Sequence, residues 1–232
     1  MKLMKIRPFL LLATVSLLCG CGVPQDEGTS AIGRPENVSG VKQSATTLHK
    51  KDGKRVLVIS ASPRKGGNTD ILADAFLRGA QEVGGKVEKI FLADSTLEFL
   101  SEEGANQPQS VTRNTPMGRI VEKFLAADVV VLASPVYFMN VSDRMKTFID
   151  ATYLGVGDPR MGNKEYYYLT AFSEQDTNTA EWIYNAFRGF VMWLPNSVER
   201  GHVGAAGMGR AGAVRGTDYE NQAYQLGKTI DL

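Results

Sequence analysis

A polar loop around residue 65 holds the residues of this 232-residue chain that are best suited to bind a charged group. It follows the apolar run Val56–Ile59, precedes an amphipathic helical pattern, and reads Ser60-Ala61-Ser62-Pro63-Arg64-Lys65-Gly66-Gly67-Asn68-Thr69. A loop between a strand and the start of a helix presents unpaired backbone N–H groups and the positive end of the helix dipole. We therefore predict an anion site, in particular a phosphate site, formed by Ser60, Ser62, Arg64, Gly67, Asn68 and Thr69. The alternative is an ordinary turn and helix cap, which needs only one side-chain oxygen.

A second candidate loop follows another apolar run, Val129–Leu132. Its sequence is Ser134-Pro135-Val136-Tyr137-Phe138-Met139-Asn140-Val141-Ser142. A continuous apolar run is typical of a strand buried on both faces, and aromatic side chains at the end of such a strand need a cover. We predict that a flat heterocycle lies against Ser134, Pro135, Val136, Tyr137 and Phe138. Packing of these residues beneath a neighbouring loop or a partner subunit is the alternative.

The two loops must be positioned by alternating strands and helices, which the sequence predicts from residue 55 onward. Strand patterns occupy residues 55–59, 86–92, 128–133 and 165–170, with a weak fifth strand near Val203. Helical patterns occupy residues 69–83, 117–126, 141–153, 177–193 and 218–230. This alternation predicts an α/β fold, namely a flavodoxin-like, doubly wound five-stranded parallel sheet of order 2-1-3-4-5 with helices on both faces. Right-handed crossovers then place the loops after the first and third strands side by side.

The two loops, with Lys146, Phe148, Ile149 and Asp150 on the following helix, resemble those of the flavodoxin-like NAD(P)H-dependent FMN reductases and iron-sulfur flavoproteins. The resemblance implies FMN as the cofactor, with its phosphate in the loop Ser60–Thr69 and its ring against Ser134–Phe138. It also implies a third flavin-contacting loop at Thr170-Ala171-Phe172, NAD(P)H as a possible electron donor, a small-molecule electron acceptor and a homodimer. No catalytic acid or base is required in this scheme, because the protein binds and orients the flavin.

One departure from the resemblance concerns cysteine. Iron-sulfur members of that group carry a compact cysteine cluster between the second and third strands, whereas residues 95–115 of this chain contain no cysteine. We therefore expect no metal centre, and FMN as the sole redox group. The same polar segment is predicted to be an excursion with local structure of its own or a functional loop.

The predicted function is an FMN-dependent NAD(P)H oxidoreductase. A non-enzymatic flavodoxin-like electron carrier and a binding lipoprotein without redox turnover are the alternatives.

Two glycine-containing motifs are expected to have no nucleotide-binding function. Gly207–Gly212 formally matches the dinucleotide-binding fingerprint, but the 20 residues that follow it are too few for both a helix and a strand. We expect a turn-rich loop at this position. Gly227-Lys228-Thr229 lacks the earlier glycine of a P-loop, since Gln222 stands in its place. The two histidines, His49 and His202, are expected to be surface or loop residues rather than catalytic ones.

The N-terminal residues predict a lipid-anchored protein. Lys2, Lys5 and Arg7 precede an apolar segment, and Leu18-Cys19-Gly20-Cys21 resembles a bacterial lipobox. We predict a lipoprotein signal peptide over residues 1–20, a lipidated Cys21 with a flexible tether over residues 21–54, and the FMN-binding domain over residues 55–232. The expected location is the bacterial cell envelope, outside the cytoplasm, with the lipid as membrane anchor.

The charge balance argues against a nucleic-acid partner. Removal of the predicted signal peptide leaves 23 basic against 25 acidic residues, a formal net charge of −2. Binding to a nucleic-acid backbone depends on clustered lysine and arginine residues. No basic patch stands out in this sequence, and we therefore expect no nucleic acid among the partners.

Overall fold

The computed structural model describes residues 53–106 and 114–231. The predicted signal peptide, Cys21 and the predicted tether up to residue 52 lie outside the described residues, as do residues 107–113. Within the described ranges, no helix is long and apolar enough to cross a membrane.

One sheet organises the described part of the chain. Its five parallel strands are β1 (Arg55–Ser60), β2 (Lys86–Phe91), β3 (Val129–Pro135), β4 (Glu165–Ala171) and β5 (Val198–Ala205). Their order is β2-β1-β3-β4-β5, which confirms the predicted strand order and the flavodoxin-like fold. Because the chain reverses its direction of travel across the sheet between β1 and β3, the loops that follow these strands lie side by side. Ser60 pairs with Ala133, so the loops after β1 and β3 begin at nearly the same height along the sheet.

Helices connect the strands, and local sequence signals set several of their ends. They are α1 (Asn68–Glu82), α2 (Glu102–Asn106), α3 (Pro116–Ala126), α4 (Asp143–Ala151), α5 (Thr179–Val191) and α6 (Asp218–Lys228). Thr115 caps α3, since its hydroxyl accepts a hydrogen bond from the backbone N–H of Gly118 at 3.0 Å. Ser142 caps α4 in the same way, with the N–H of Met145 at 3.3 Å. Gly84, at φ +96°, follows the C-cap of α1 and ends the helix.

Both faces of the sheet are covered by helices, because successive residues of a strand point to opposite sides. α1 and α6 pack on one face, over a layer that includes Val58 and Val131. α3, α4 and α5 pack on the other face, over a layer that includes Ile59 and Leu132. The apolar runs of β1 and β3 are therefore buried on both sides, as their sequences indicate.

α1 and α6 pack against each other through glycine. A Cβ atom at Gly79 would lie 2.1 Å from the carbonyl oxygen of Tyr224, and a Cβ atom at Gly227 would lie 2.1 Å from that of Phe76. Only glycine allows two helix backbones to approach this closely. The role of Gly227 in the Gly-Lys-Thr sequence is therefore helix packing.

Some elements differ in extent from their predictions. β5 spans eight residues, Val198–Ala205, where the sequence indicates only a weak strand near Val203. It lies at the edge of the sheet and many of its residues are partly exposed, so it lacks the continuous apolar run of a central strand. The excursion predicted over residues 95–115 contains the short helix α2. The helix predicted over residues 177–193 is observed as α5.

Candidate functional site

A cleft of about 170 Å³ opens at the carboxyl edge of the sheet. Four loops line it, those that follow β1, β3, β4 and β5. The lining residues are Ser62, Pro63, Arg64, Gly67, Asn68, Thr69, Pro135, Val136, Tyr137, Ala171, Phe172, Ser173, Met208, Gly209, Arg210 and Ala211. The two predicted loops and the third, Thr170-Ala171-Phe172, thus meet at one place. This is the switch point at which open parallel sheets bind ligands.

The N-terminus of α1 opens into this cleft without a side-chain cap. Gly67 is the residue before the helix, and no side chain accepts a hydrogen bond from the first helical turn. The first intrahelical bond runs from the N–H of Ile71 to the carbonyl of Gly67, at 2.9 Å. The N–H groups of Asn68, Thr69 and Asp70 come before this bond in the helix and have no intrahelical acceptor, so they can bind an anion, and the helix dipole favours one there.

Gly67 is required by the tight packing of the loop below it. A Cβ atom at this position would lie 2.7 Å from Ser62 Oγ and 3.0 Å from the carbonyl oxygen of Arg64. The loop is held together by the Ser62 hydroxyl, which donates to the Arg64 carbonyl at 2.8 Å, and by the Gly67 N–H, which donates to the same oxygen at 3.0 Å. A side chain at Gly67 would collide with these loop atoms, so glycine preserves the shape of the loop at the N-terminus of α1.

The charge of the cleft is positive. Its lining contains Arg64 and Arg210 and no aspartate or glutamate. In the part of the chain that the structure describes, neither guanidinium forms an ion pair with a carboxylate. Arginine binds phosphate oxygens through charge-assisted hydrogen bonds. No cluster of His, Cys, Asp and Glu that could hold a metal ion occurs among the described residues.

Several predicted site residues turn away from the cleft. Ser60 is buried, and its hydroxyl donates to Asp70 Oδ1 at 2.8 Å. Ser134 is also buried, and its hydroxyl accepts from the N–H of Ser142 at 2.9 Å. Phe138 is fully exposed and lies outside the lining. Ser60 is the last residue of β1 and Ser134 the second-last of β3, and both hydroxyls are held by these buried hydrogen bonds and do not face the cleft.

Asn68 lines the cleft, but its amide group organises another loop. Its Nδ2 donates to the carbonyls of Met208 and Arg210, at 2.8 and 2.7 Å, and its Oδ1 accepts from the N–H of Val214 at 3.2 Å. These bonds attach the loop after β5 to the start of α1. Asn68 therefore shapes the cleft and leaves only its backbone N–H for a ligand.

The loop after β5 and Ser173 are the lining residues that sequence reasoning missed. The segment Gly207–Gly212 is a turn-rich loop, as predicted, with φ values of +73° and +76° at its terminal glycines. It contributes Met208 to Ala211 to the cleft. The signal that could have revealed it is topological, since a fifth parallel strand delivers its loop to the same edge of the sheet as the others.

The loop after β3 presents its aromatic residues beside the cleft. Tyr137 and Asn140 close a tight turn through two backbone hydrogen bonds of 3.0 Å, with Phe138 and Met139 at positive φ between them. Pro135, Val136 and Tyr137 form the wall on that side. Since pockets that enclose a drug-sized ligand have roughly 300–1000 Å³, this cleft fits the phosphate end of FMN and leaves the ring to extend past the turn.

The helix residues named with the second loop have separate positions. Phe148 is buried in the core. Lys146 forms an exposed ion pair with Asp150, with Nζ 2.6 Å from Oδ1. Lys146, Ile149 and Asp150 border a second cavity of about 730 Å³, which is mostly apolar and is also lined by Asn140 from the Tyr137–Asn140 turn. None of these four helix residues lines the cleft.

Known proteins with similar sequences are flavoproteins. Over 96 residues the chain is 38% identical to an iron-sulfur flavoprotein of Archaeoglobus fulgidus, which covers 40% of this chain and 42% of that protein. Over 106 residues it is 27% identical to the putative NAD(P)H-dependent FMN-containing oxidoreductase YwqN of Bacillus subtilis, covering 46% and 56% of the two chains. The chain thus spans about half the length of these relatives.

Solved structures confirm the fold, and a family profile identifies the group. The azoreductase of Bacillus anthracis superposes with a TM-score of 0.60 at 18% sequence identity, over 76% of this chain and all of that one. The sequence profile of the NADPH-dependent FMN reductases matches residues 54–200, a range that includes β1 to β4, α1 to α5 and the first three residues of β5. This match confirms the predicted cofactor, FMN. The chain belongs to the NADPH-dependent FMN reductase family.

Proposed function

We propose that this protein is an FMN-dependent NAD(P)H oxidoreductase that passes electrons through bound FMN to a small acceptor such as a flavin or a quinone. The observation that carries the proposal is the cleft itself. It combines the uncapped N-terminus of α1, two arginines without a carboxylate partner in the described chain, and an apolar wall from the loop after β3. An anionic group at one end and an aromatic ring at the other are what this combination suits.

The residues of the cleft bind and orient the cofactor. Backbone N–H groups of Thr69 and its neighbours would hold the phosphate, together with Arg64 and Arg210. Pro135 and Tyr137 would limit the position of the ring. FMN supplies the redox chemistry when it is bound. These cleft residues contribute orientation and electrostatics at the phosphate end of the cofactor.

The proposed electron acceptor has two kinds of support, the chemistry of this chain and the proteins with similar sequences. An iron-sulfur cluster as the next redox group is disfavoured, because residues 95–115 lack cysteine. Proteins of similar sequence include an NAD(P)H dehydrogenase (quinone). A planar aromatic acceptor can stack on a flavin ring that extends past the Tyr137–Asn140 turn. A diffusible flavin or quinone meets this requirement.

The test uses the full chain, purified in mild detergent and titrated with FMN. We expect a bound flavin spectrum, and rapid anaerobic bleaching on addition of NADH or NADPH in a stopped-flow instrument. Colourless protein that takes up no FMN would overturn the proposal. Bound flavin that is reduced only by a protein or quinol donor would favour the alternative, a flavodoxin-like electron carrier, and bound flavin that no donor reduces would favour a binding protein.

We also propose that the protein is anchored in the bacterial envelope through a lipid on Cys21, facing away from the cytoplasm. The support is the basic, apolar and lipobox pattern of residues 1–21. Metabolic labelling with a palmitate analogue should mark the wild-type chain, and Cys21→Ser should abolish both the label and membrane association. An unlabelled wild-type chain that fractionates with soluble proteins would contradict this part of the proposal.

We also propose that the protein forms a homodimer. Trp182 in α5 and Trp193 just after it are 63% and 81% exposed. Trp193 lines the second, mostly apolar cavity together with the exposed Tyr153 and Val156, and an exposed apolar patch of this kind is typical of surfaces that another chain covers. Light scattering of the purified protein should give twice the mass of one chain, and Trp193→Glu should shift the protein towards the monomer. A wild-type monomer at all accessible concentrations would exclude the dimer.

A further inference from the structure

A buried carboxylate lies directly beneath the loop that we assign to the FMN phosphate. The side chain of Asp70, in the first turn of α1, is 4% exposed. One oxygen accepts a hydrogen bond from Ser60 Oγ at 2.8 Å, and the other accepts one from the backbone N–H of Gly66 at 3.0 Å. Gly66 has φ +68°. Asp70 therefore ties the end of β1 and the strained part of the loop to the helix.

This position creates an electrostatic problem. The cleft at the N-terminus of α1 suits an anion, yet Asp70 places a negative charge in the same helical turn. Two negative charges close to each other repel, and burial strengthens the repulsion because solvent screens it less. The loop needs the hydrogen bonds that a carboxylate accepts, but a phosphate in front of it needs that charge to be compensated.

Lys89 supplies the compensation from the edge strand β2. Its ammonium group lies 3.0 Å from Asp70 Oδ1 and also binds the half-exposed Asp74. Burial acts to lower the pKa of Lys89, but its hydrogen bonds to Asp74 and Asp70 outweigh burial and raise that pKa. The group is therefore charged at neutral pH, and the nearest charged groups to it are these two carboxylates.

We propose that Lys89 is a positioning residue for FMN: it neutralises Asp70, so that Asp70 can hold the phosphate loop in shape without repelling the phosphate. Lys89 does not line the cleft, and it acts through Asp70 and the loop. This inference rests on the proposed function, since it assigns the loop to the FMN phosphate.

The test compares FMN with riboflavin, which has the same ring and no phosphate. In the full chain, Lys89→Met should weaken FMN binding by about tenfold or more, because an uncompensated buried carboxylate faces the phosphate. Riboflavin affinity should change little. The loss for FMN should grow as the pH rises through about 6, where a phosphate monoester gains its second negative charge. A purely structural role of Lys89 would weaken FMN binding by the same factor at every pH, because it would not depend on the charge of the phosphate.

Two further variants separate charge from shape. Lys89→Met with Asp70→Asn should recover part of the FMN affinity, since the charge is gone while the amide oxygen can still accept from the Gly66 N–H and the amide NH2 can donate to Ser60 Oγ. Asp70→Asn alone should bind FMN to within a few-fold of the wild type, which keeps the inference testable if Lys89→Met does not fold; a loss as large as that expected for Lys89→Met would contradict it. Lys123→Met is the matched control, because Lys123 also pairs with a β2 carboxylate, that of Glu88, but from α3.

The outcomes distinguish this inference from the proposed function. A wild-type chain that binds no FMN would overturn both. A wild-type chain that binds FMN, together with a Lys89→Met variant of equal FMN affinity or one that loses FMN and riboflavin alike, would overturn the role of Lys89 only. Failure of the double variant to recover affinity would show that Asp70 is not the group that Lys89 compensates.

Discussion

The amino edge of the sheet pairs its charged side chains with one another, whereas the carboxyl edge leaves the arginines of the cleft without carboxylate partners among the described residues. At the amino edge, Glu165 receives Lys54 at 2.9 Å and Arg200 at 2.8 Å, and Arg55 binds Asp128. At the carboxyl edge, α1 has no side-chain cap. The amino ends of the strands thus form a surface whose charges are paired. Their carboxyl ends form a positively charged surface whose arginines have no carboxylate partner among the described residues.

The amino edge also contains a buried charge that is fully engaged. Lys164 is 3% exposed, and its ammonium group donates to the carbonyls of Leu125 and Ala127 at 3.0 and 2.6 Å. These carbonyls end α3, so the lysine serves as a C-terminal cap. Polar groups at this edge stabilise the fold by satisfying each other, while those at the opposite edge remain available for a ligand. The comparison predicts that variants at the two edges separate stability from FMN binding.

The largest expected effect is that of Gly67→Val on FMN binding. The added side chain would collide with Ser62 Oγ and the Arg64 carbonyl and would therefore distort the loop at the N-terminus of α1. We expect the dissociation constant for FMN to rise about a hundredfold, which corresponds to roughly 2.7 kcal/mol. Quenching of FMN fluorescence on titration measures it.

Gly189→Ala is the control for this variant. Nothing lies within 4 Å of a Cβ at Gly189, which is exposed on α5. The substitution should leave FMN affinity unchanged and stabilise the protein by about 0.5–1 kcal/mol through helix propensity. Wild-type FMN affinity in Gly67→Val would show that the phosphate does not lie at the N-terminus of α1.

The second expected effect is on the pH dependence of stability, and it arises from Lys164 at the amino edge. Burial lowers the pKa of Lys164 to about 8, from an ordinary value of 10.5. Between these values the unfolded chain holds a proton that the folded chain has lost, so this group should make the free energy of unfolding rise with pH, by about 1.4 kcal/mol per pH unit. Urea unfolding between pH 7.5 and 10.5 measures this slope.

Lys164→Met should remove most of that slope and also lower stability at pH 7, because two buried carbonyls lose their donor. Its affinity for FMN should match that of the wild type, since Lys164 lies at the opposite edge from the cleft. A variant with an unchanged pH slope would show that Lys164 is not the titrating group. A variant with weakened FMN binding would show that residues at the amino edge affect FMN binding as well as stability.

The third effect is the contribution of the cleft arginines. Arg64→Ala and Arg210→Ala should each weaken FMN binding about tenfold, because each loses a charge-assisted hydrogen bond worth roughly 1.5–3 kcal/mol. Riboflavin binding should be affected less. Arg200→Ala, at the amino edge, is the matched control and should leave FMN affinity unchanged. Equal losses for Arg200→Ala would mean that overall charge, rather than the position of the arginines, determines binding.

The smallest effect is expected for Glu165→Gln. Burial acts to raise the pKa of Glu165, but hydrogen bonds from Lys54 and Arg200 lower it overall. Its ionised form therefore adds stability that is present above the ordinary glutamate pKa and lost as the pH falls through the folded pKa. We expect a loss of about 0.5–1 kcal/mol at pH 7, which shrinks towards pH 3. Urea unfolding at both pH values measures it, and a loss that is constant with pH would contradict the ion-pair explanation.

Most of the fold followed from local patterns. The apolar runs of β1 and β3 predict strands buried on both faces, and Gly84 predicts the end of α1. β5 was weakly predicted because an edge strand with partly exposed residues carries little apolar periodicity. The first-strand loop was recognisable because strand, glycine-rich turn and helix start are contiguous in sequence.

The cleft was predicted less completely than the fold. Ser60 and Ser134 have the right residue types, but the direction of a side chain at a strand end depends on the layers around it. Asn68 was expected to donate to a phosphate, and its amide instead binds carbonyls about 140 residues further along the chain. Met208 to Ala211 reach the cleft only through the position of β5 in the sheet.

The sequence alone determined that this protein alternates strands and helices, that a phosphate-type loop follows the first strand, and that the loop after the third strand is aromatic. These properties depend on residues close to each other in the chain. The tertiary structure decided which side chains face the cleft, that Arg210 joins Arg64 there, and that Lys89 from a neighbouring strand pairs with Asp70. These depend on strand order and side-chain packing, because hydrogen bonds and charges act between groups that only the folded chain brings together.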